Sequence, residues 1–180
     1  GKTMETKQPV EESKPSFIGY LWVTVGFLVI VFIGGFAYKS YRASQEEKLF
    51  MSKAPALVIA CENLMIMAQQ GVELAEFGNL LAAAKQQYDL IGAWPLKETD
   101  ANFEYVQAIQ GWTQATEVWK LKNDQGSEYA YQDVVDLEGL SMYLGVGRSK
   151  LKFFTASDLV RQLIFSAGEH AKKGKSLLGF

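Results

Sequence analysis

The chain of 180 residues has one cysteine, one histidine and four prolines. A single cysteine excludes an intramolecular disulfide, so the redox compartment is not legible from it. It also excludes C-x-x-C and C-x-x-C-H haem attachment, and one histidine excludes the zinc pattern H-E-x-x-H. Cys61 lies in ALVIACENLMIMA and reads as a small buried apolar residue. His170 reads as a lining residue near the end of the last helix. That the two are the only candidates for a thiol–imidazole pair is no evidence that they form one.

Other chemistry is equally sparse. LGVGRSK at 144–150 lacks the G-x-x-x-x-G-K-[ST] spacing and follows no clear strand, so it reads as a turn rather than a phosphate cradle. Asp133, Asp136 and Glu138 cluster without the EF-hand spacing and read as a solvated acidic face. No nucleophile or acid–base constellation stands out. The expectation is a protein with no catalytic activity, no metal or other cofactor and no nucleic-acid partner.

Charge is absent from one long stretch. Phe17 to Tyr38 is a run of 22 uncharged residues. As a helix it would reach roughly 33 Å, enough to cross a hydrocarbon core of about 30 Å. A secretory h-region is shorter, roughly 7–15 residues, and ends in small residues around a cleavage site. This run instead ends in Phe36, Ala37 and Tyr38, followed by Lys39 and Arg42. Tyr20 and Trp22 near one end, and Tyr38 and Tyr41 near the other, fit the aromatic belts of a membrane interface. The run reads as a retained transmembrane helix. Its interface residues are Tyr20, Trp22, Tyr38, Lys39, Tyr41 and Arg42, and the lipid bilayer is its first partner. With no ionisable group inside, it offers no proton relay or ion pathway.

Gly19, Gly26 and Gly34 are spaced by seven and eight residues, near one side of that helix. Small residues let helices approach closely in lipid, so these three mark a seam for another membrane-spanning helix. Flanking cations nearly tie: Lys2, Lys7 and Lys14 before the run, and Lys39, Arg42, Lys48 and Lys53 after it. The reading adopted puts the N-terminus in the cytoplasm and the following domain outside, as in a bacterial inner membrane or its equivalent. Orientation is open on charge alone.

The remaining chain divides by charge. Residues 54–145 carry 13 acidic and 4 basic side chains, whereas residues 146–180 carry 7 basic and 2 acidic. Arg148, Lys150, Lys152, Lys172, Lys173 and Lys175 make this region basic. Either it packs on the acidic body of its own domain, or it offers a surface to anionic headgroups or an acidic partner.

Periodicity predicts helices. The span is expected to continue as a stalk to about residue 53, with Pro55 opening a new helix and Ser52 capping it. PALVIACENLMIMAQQ reads as a core helix closed by Gly71, with a half-sunk membrane-surface helix as the alternative. Leu74, Phe77, Leu81, Ala84, Tyr88 and Ile91 form an amphipathic stripe ended at Trp94-Pro95. A third helix begins near Thr99 or Asp100, with the stripe Tyr105, Ile109, Trp112, Thr116 and Trp119, and stops at NDQGS. EYAYQDVVDLEGLSMYLG is either a helix with Val134, Leu137 and Leu140 on one face or a loop and short strand. VGRSKLKFF is either extended or a membrane-touching loop. The last helix opens with Thr155 and Asp158 in capping-box spacing and carries Leu159, Leu163, Ala167 and His170 on one face.

The fold expected is all-α: a flexible polar tail (1–15), a single transmembrane helix with its stalk (16–53) and a helical-bundle domain (54–180). The function expected is that of a non-catalytic accessory, scaffold or assembly subunit of a larger membrane complex, partnered by other integral membrane subunits. The alternative is an anchored helical module that binds peptides, client proteins or a small ligand.

Overall fold

The computed structural model describes the backbone from residue 17 and side chains from residue 25. The polar tail at 1–15 lies outside the described residues. Tyr20 and Trp22 lie where only the backbone is described. Among the described residues there are six α-helices, in order α1 (Phe17–Gln70), α2 (Leu74–Ile91), α3 (Thr99–Gln125), α4 (Leu137–Leu144), α5 (Arg148–Leu151) and α6 (Ala156–Leu177). Short 3-10 turns occupy Leu96–Glu98 and Ala130–Asp133, and no strand occurs among the described residues. The all-helical expectation holds. The chain divides into two compact units, one ending at Ser44 and one running from Gln45 to Phe180.

In the first unit, α1 is apolar on all sides from Val25 to Tyr38, and every side chain there is exposed. It is long and apolar enough to cross a membrane. In the second unit the same helix has a buried face: Phe50, Ala54, Leu57, Val58, Cys61 and Leu64 enter the core. PALVIACENLMIMAQQ is therefore a core helix, although Ile59 and Ile66 on its other face stay exposed.

Pro55 does not start a helix but lies inside α1. Proline removes one backbone donor and disfavours a helix interior by about 3 kcal/mol. Here Phe50 and Ala54 before it, and Leu57 and Val58 after it, are held by one core, so burial on both sides offsets that cost. The Ser52 hydroxyl, freed from capping, donates to the Leu49 carbonyl.

In α2, Phe77, Leu81, Ala84 and Ile91 are buried as the stripe requires. The buried face of α3 differs from the stripe read in the sequence. It consists of Ala101, Glu104, Tyr105, Ala108, Gly111, Trp112, Ala115 and Val118. Ile109, Thr116 and Trp119 are only half-buried. Small residues win this face because α6 lies against it. A Cβ on Gly111 would come within 2.9 Å of Ala167 Cβ, and one on Gly174 within 2.9 Å of the Tyr105 ring.

Residues 128–154 contain neither strand nor long helix. Val134 is exposed, Leu137 and Leu140 are buried by α4, and VGRSKLKFF folds into the single turn α5 instead of an extended piece. Tyr131 fixes this region. Its buried hydroxyl lies 2.8 Å from the Leu151 carbonyl and 2.7 Å from that of Phe154, a contact no local pattern encodes.

The start of α6 is well capped. Thr155 Oγ1 accepts the Asp158 N–H at 3.0 Å while its hydroxyl donates to the Asp158 carboxylate at 2.8 Å. The shorter aspartate thus closes the box onto the threonine side chain, where a glutamate would reach the backbone. Glu128 supplies the rest: its carbonyl accepts from Ala156 N–H and its carboxylate from Ser157 N–H.

Candidate functional site

Three arrangements in this chain have the residues to do something beyond packing. The first is the apolar helix. A Cβ added at Gly26, Gly34 or Gly35 would meet no atom within 4 Å, so α1 has room at each for a close neighbour. Gly19 lies on the same helix, upstream of the described side chains. Tyr38, Lys39, Tyr41 and Arg42 are all exposed at the end of the apolar run and just past it.

The second is the basic region, which the fold splits. Lys173 Nζ reaches the Glu104 carboxylate at 2.5 Å, Lys175 pairs with Glu62 of α1, and Lys172 pairs with Glu169 one turn earlier at 2.7 Å. These α6 lysines largely neutralise acids of their own domain. Arg148, Lys150 and Lys152 instead stand exposed on and after α5, beside Phe153. Only this second group forms a basic surface.

Glu104 is the one buried charged residue among the described residues. It takes His170 Nδ1 at 2.6 Å as well as Lys173, so α6 grips a buried carboxylate of α3 with two side chains. The Tyr143 ring lies 5.8 Å from the imidazole. Burial pushes the Glu104 carboxyl up, but the hydrogen bonds and charges of His170 and Lys173 outweigh it and hold the group below its ordinary value of 4.5. Glu128 is drawn down further, to about 2, chiefly by Lys122 and then by the Ser157 amide.

Both carboxylates are more acidic folded than unfolded. They therefore stabilise the fold above the unfolded carboxylate pKa, and that contribution is lost as pH falls from about 4.5 towards 2. Urea midpoints are expected to be flat from neutral pH to about 5 and to fall below it. Glu104→Gln with Glu128→Gln should flatten that fall. An acid limb that is unchanged in the double variant would remove these two groups as its cause.

His170 is thus committed to Glu104. Cys61 is buried, and burial first, then the Glu62 charge, pushes its thiol up to about 12, so it stays protonated and inert at neutral pH. No nucleophilic pair forms. Asp136 caps α4 by accepting the Glu138 N–H at 3.1 Å.

The third arrangement is a cleft of about 580 Å³ in the helical domain. Its walls are Met65 and Ala68 of α1, Val72 in the turn, Phe77 of α2, Trp119 of α3, and Val160 and Ile164 of α6. The Phe77 and Trp119 rings lie 6.1 Å apart. Arg161, Glu169 and Lys172 stand among the polar lining residues. The size falls in the range of ligand sites, and an apolar wall with a few polar groups suits an apolar body with a polar end. Sequence reading missed this cleft because its walls come from four helices and a turn that only the fold brings together. No family model matches this chain, and no curated protein or solved structure matches it.

Proposed function

We propose that this protein is a single-pass, membrane-anchored, non-catalytic accessory or assembly subunit of a larger membrane complex. The observation that carries this reading is the wholly exposed apolar stretch of α1 between Val25 and Tyr38, where Ile30 is 70% and Phe32 77% exposed. A helix apolar on every face needs lipid or protein around it, and helical backbone satisfies its own polar groups in lipid. The open glycines support a neighbour in the membrane, and the exposed basic group on α5 supports an acidic partner outside it. In this reading the N-terminus lies in the cytoplasm and the helical domain outside an inner membrane. Inert Cys61 and committed His170 support a role in binding rather than catalysis.

Purification of the tagged protein in mild detergent, with mass spectrometry after size exclusion, tests this. A fixed set of integral membrane partners is expected, and a lone monomer would contradict the reading. Gly26→Leu is expected to weaken that assembly by roughly 1–2 kcal/mol, about tenfold in partner affinity, while leaving insertion intact. Retained assembly in that variant would remove the glycine seam.

The apolar cleft favours a second reading, an anchored module that holds a peptide or small amphiphile. Reversible binding of ligands by a monomer, lost on Trp119→Ala, would favour it over the first.

A further inference from the structure

The apolar cleft lies wholly within the unit from Gln45 to Phe180, so one fold fixes all its walls. What those walls leave unpaired identifies the occupant. Arg161, Glu169 and Lys172 are the charged side chains in the lining. Lys172 Nζ holds the Glu169 carboxylate at 2.7 Å, so those two charges cancel. Arg161 is left over. Its Nη1 stands 4.0 Å from the Asp158 carboxylate, beyond hydrogen-bond length, and its side chain is 79% exposed. Asp158 itself accepts from the Thr155 hydroxyl at 2.8 Å. Ser157, in the same lining, is already engaged by Glu128 and Lys122. One turn beyond Arg161 on α6, Phe165 lines the cleft yet is 66% exposed. An uncommitted guanidinium and an uncovered phenyl ring thus share the edge of a cavity walled by Phe77, Trp119 and Ile164.

We propose that this cleft binds a single-chain amphiphile with a carboxylate head, its acyl chain against Phe77 and Trp119 and its head on Arg161. The proposal rests on the reading that the cleft holds a ligand. Charge selects the head. The lining carries one cation more than it neutralises, and the planar guanidinium fork matches a carboxylate with two parallel hydrogen bonds. Shape selects the tail. A cleft of about 580 Å³ is of small-ligand size, and a chain within it would also cover Phe165. A peptide fits less well. No strand occurs among the described residues, so an extended backbone finds no edge to pair with. A groove-docked helix anchors over about two turns, and at about 10 Å across these fill roughly 850 Å³, more than the cleft holds.

Photocrosslinking of the full chain in amphipol tests this. The probe is dodecanoate with a mid-chain diazirine, and mass spectrometry locates the label. Label is expected on the cleft walls, around Trp119 and Ile164. Unlabelled dodecanoate is expected to compete about tenfold better than dodecanol, and about tenfold better than decanoate, which is two methylenes shorter. Arg161→Gln, at an exposed position, should abolish the preference for acid over alcohol while keeping the chain-length preference and the melting temperature. Equal competition by acid and alcohol, or a preference unmoved by Arg161→Gln, would overturn the carboxylate head and leave an amphiphile cleft standing. Stronger competition by an amphipathic leucine–glutamine peptide would overturn the proposal in favour of a peptide groove. Label absent from the cleft, or confined to 25–38, would remove the cleft as a ligand site and the proposal with it.

Discussion

Gly111→Ala is expected to lower the melting temperature of the helical domain, whereas Gly78→Ala is expected to raise it. Both glycines lie inside helices, where alanine gains about 1 kcal/mol of helix propensity. A Cβ at Gly78 meets nothing within 4 Å, so the gain survives. At Gly111 it would stand 2.1 Å from Tyr143 Oη, 2.7 Å from Tyr143 Cζ and 2.9 Å from Ala167 Cβ. The tyrosine cannot swing away without losing its 2.9 Å hydrogen bond to the Gln107 carbonyl, and Ala167 can move only with the backbone of α6. Overpacking costs about 1–3 kcal/mol and the lost hydrogen bond about 1 more, so the clash outweighs propensity by roughly 1–3 kcal/mol. A loss of that size lowers the midpoint by roughly 4–12 °C in a domain of this length. Gly174→Ala meets the buried Tyr105 ring and is expected to act in the same direction. Calorimetry of the three variants decides: a raised midpoint for Gly111→Ala would mean α3 and α6 do not approach so closely.

Ile30→Asp combined with Ile33→Asp is expected to release the protein from membranes while the domain stays folded. Residues 17–38 contain 13 Leu, Ile, Val and Phe residues, each contributing about 0.3–0.6 kcal/mol to insertion. Their total of about 4–8 kcal/mol is nearly cancelled by two central aspartates at about 3 kcal/mol each. The domain core begins at Phe50 and includes neither isoleucine, so thermal unfolding of the soluble double variant should match that of the parent. Membrane retention of the double variant at the parent level would show that another part of the chain, or a partner, holds it there.

What the sequence made legible depended on how local the governing interaction is. The stripe of α2 was readable because Phe77, Leu81, Ala84 and Ile91 are large enough, or regular enough, to signal a buried face. The face of α3 was not. Alanine and glycine at 101, 108, 111 and 115 carry little hydropathy, yet they allow α6 to approach, and that fit exists only in three dimensions. Continuity through Pro55 was hidden for the same reason, because the offset comes from a core assembled from four helices. The Thr155 cap was readable as a motif; the Glu128 contribution to the same helix end, 29 residues away, was not.

The candidate surfaces follow this division. The apolar run and its glycines were plain in the sequence, whereas the six basic residues read as one patch were divided by folding. Lys173 and Lys175 turn inward to Glu104 and Glu62 across 69 and 113 residues of chain, leaving the α5 group outside. The signal available was a carboxylate at 104, next to Tyr105 of the apolar stripe, in a chain with one histidine. Only the fold brings that histidine to it.

The central claim, that α1 anchors this helical domain in a bilayer, is tested most directly by alkaline extraction of membranes from cells making the full chain. Carbonate strips peripheral proteins and leaves spanning helices in place. The protein is expected to sediment with the membranes after extraction, and quantitative release into the supernatant would contradict the anchor.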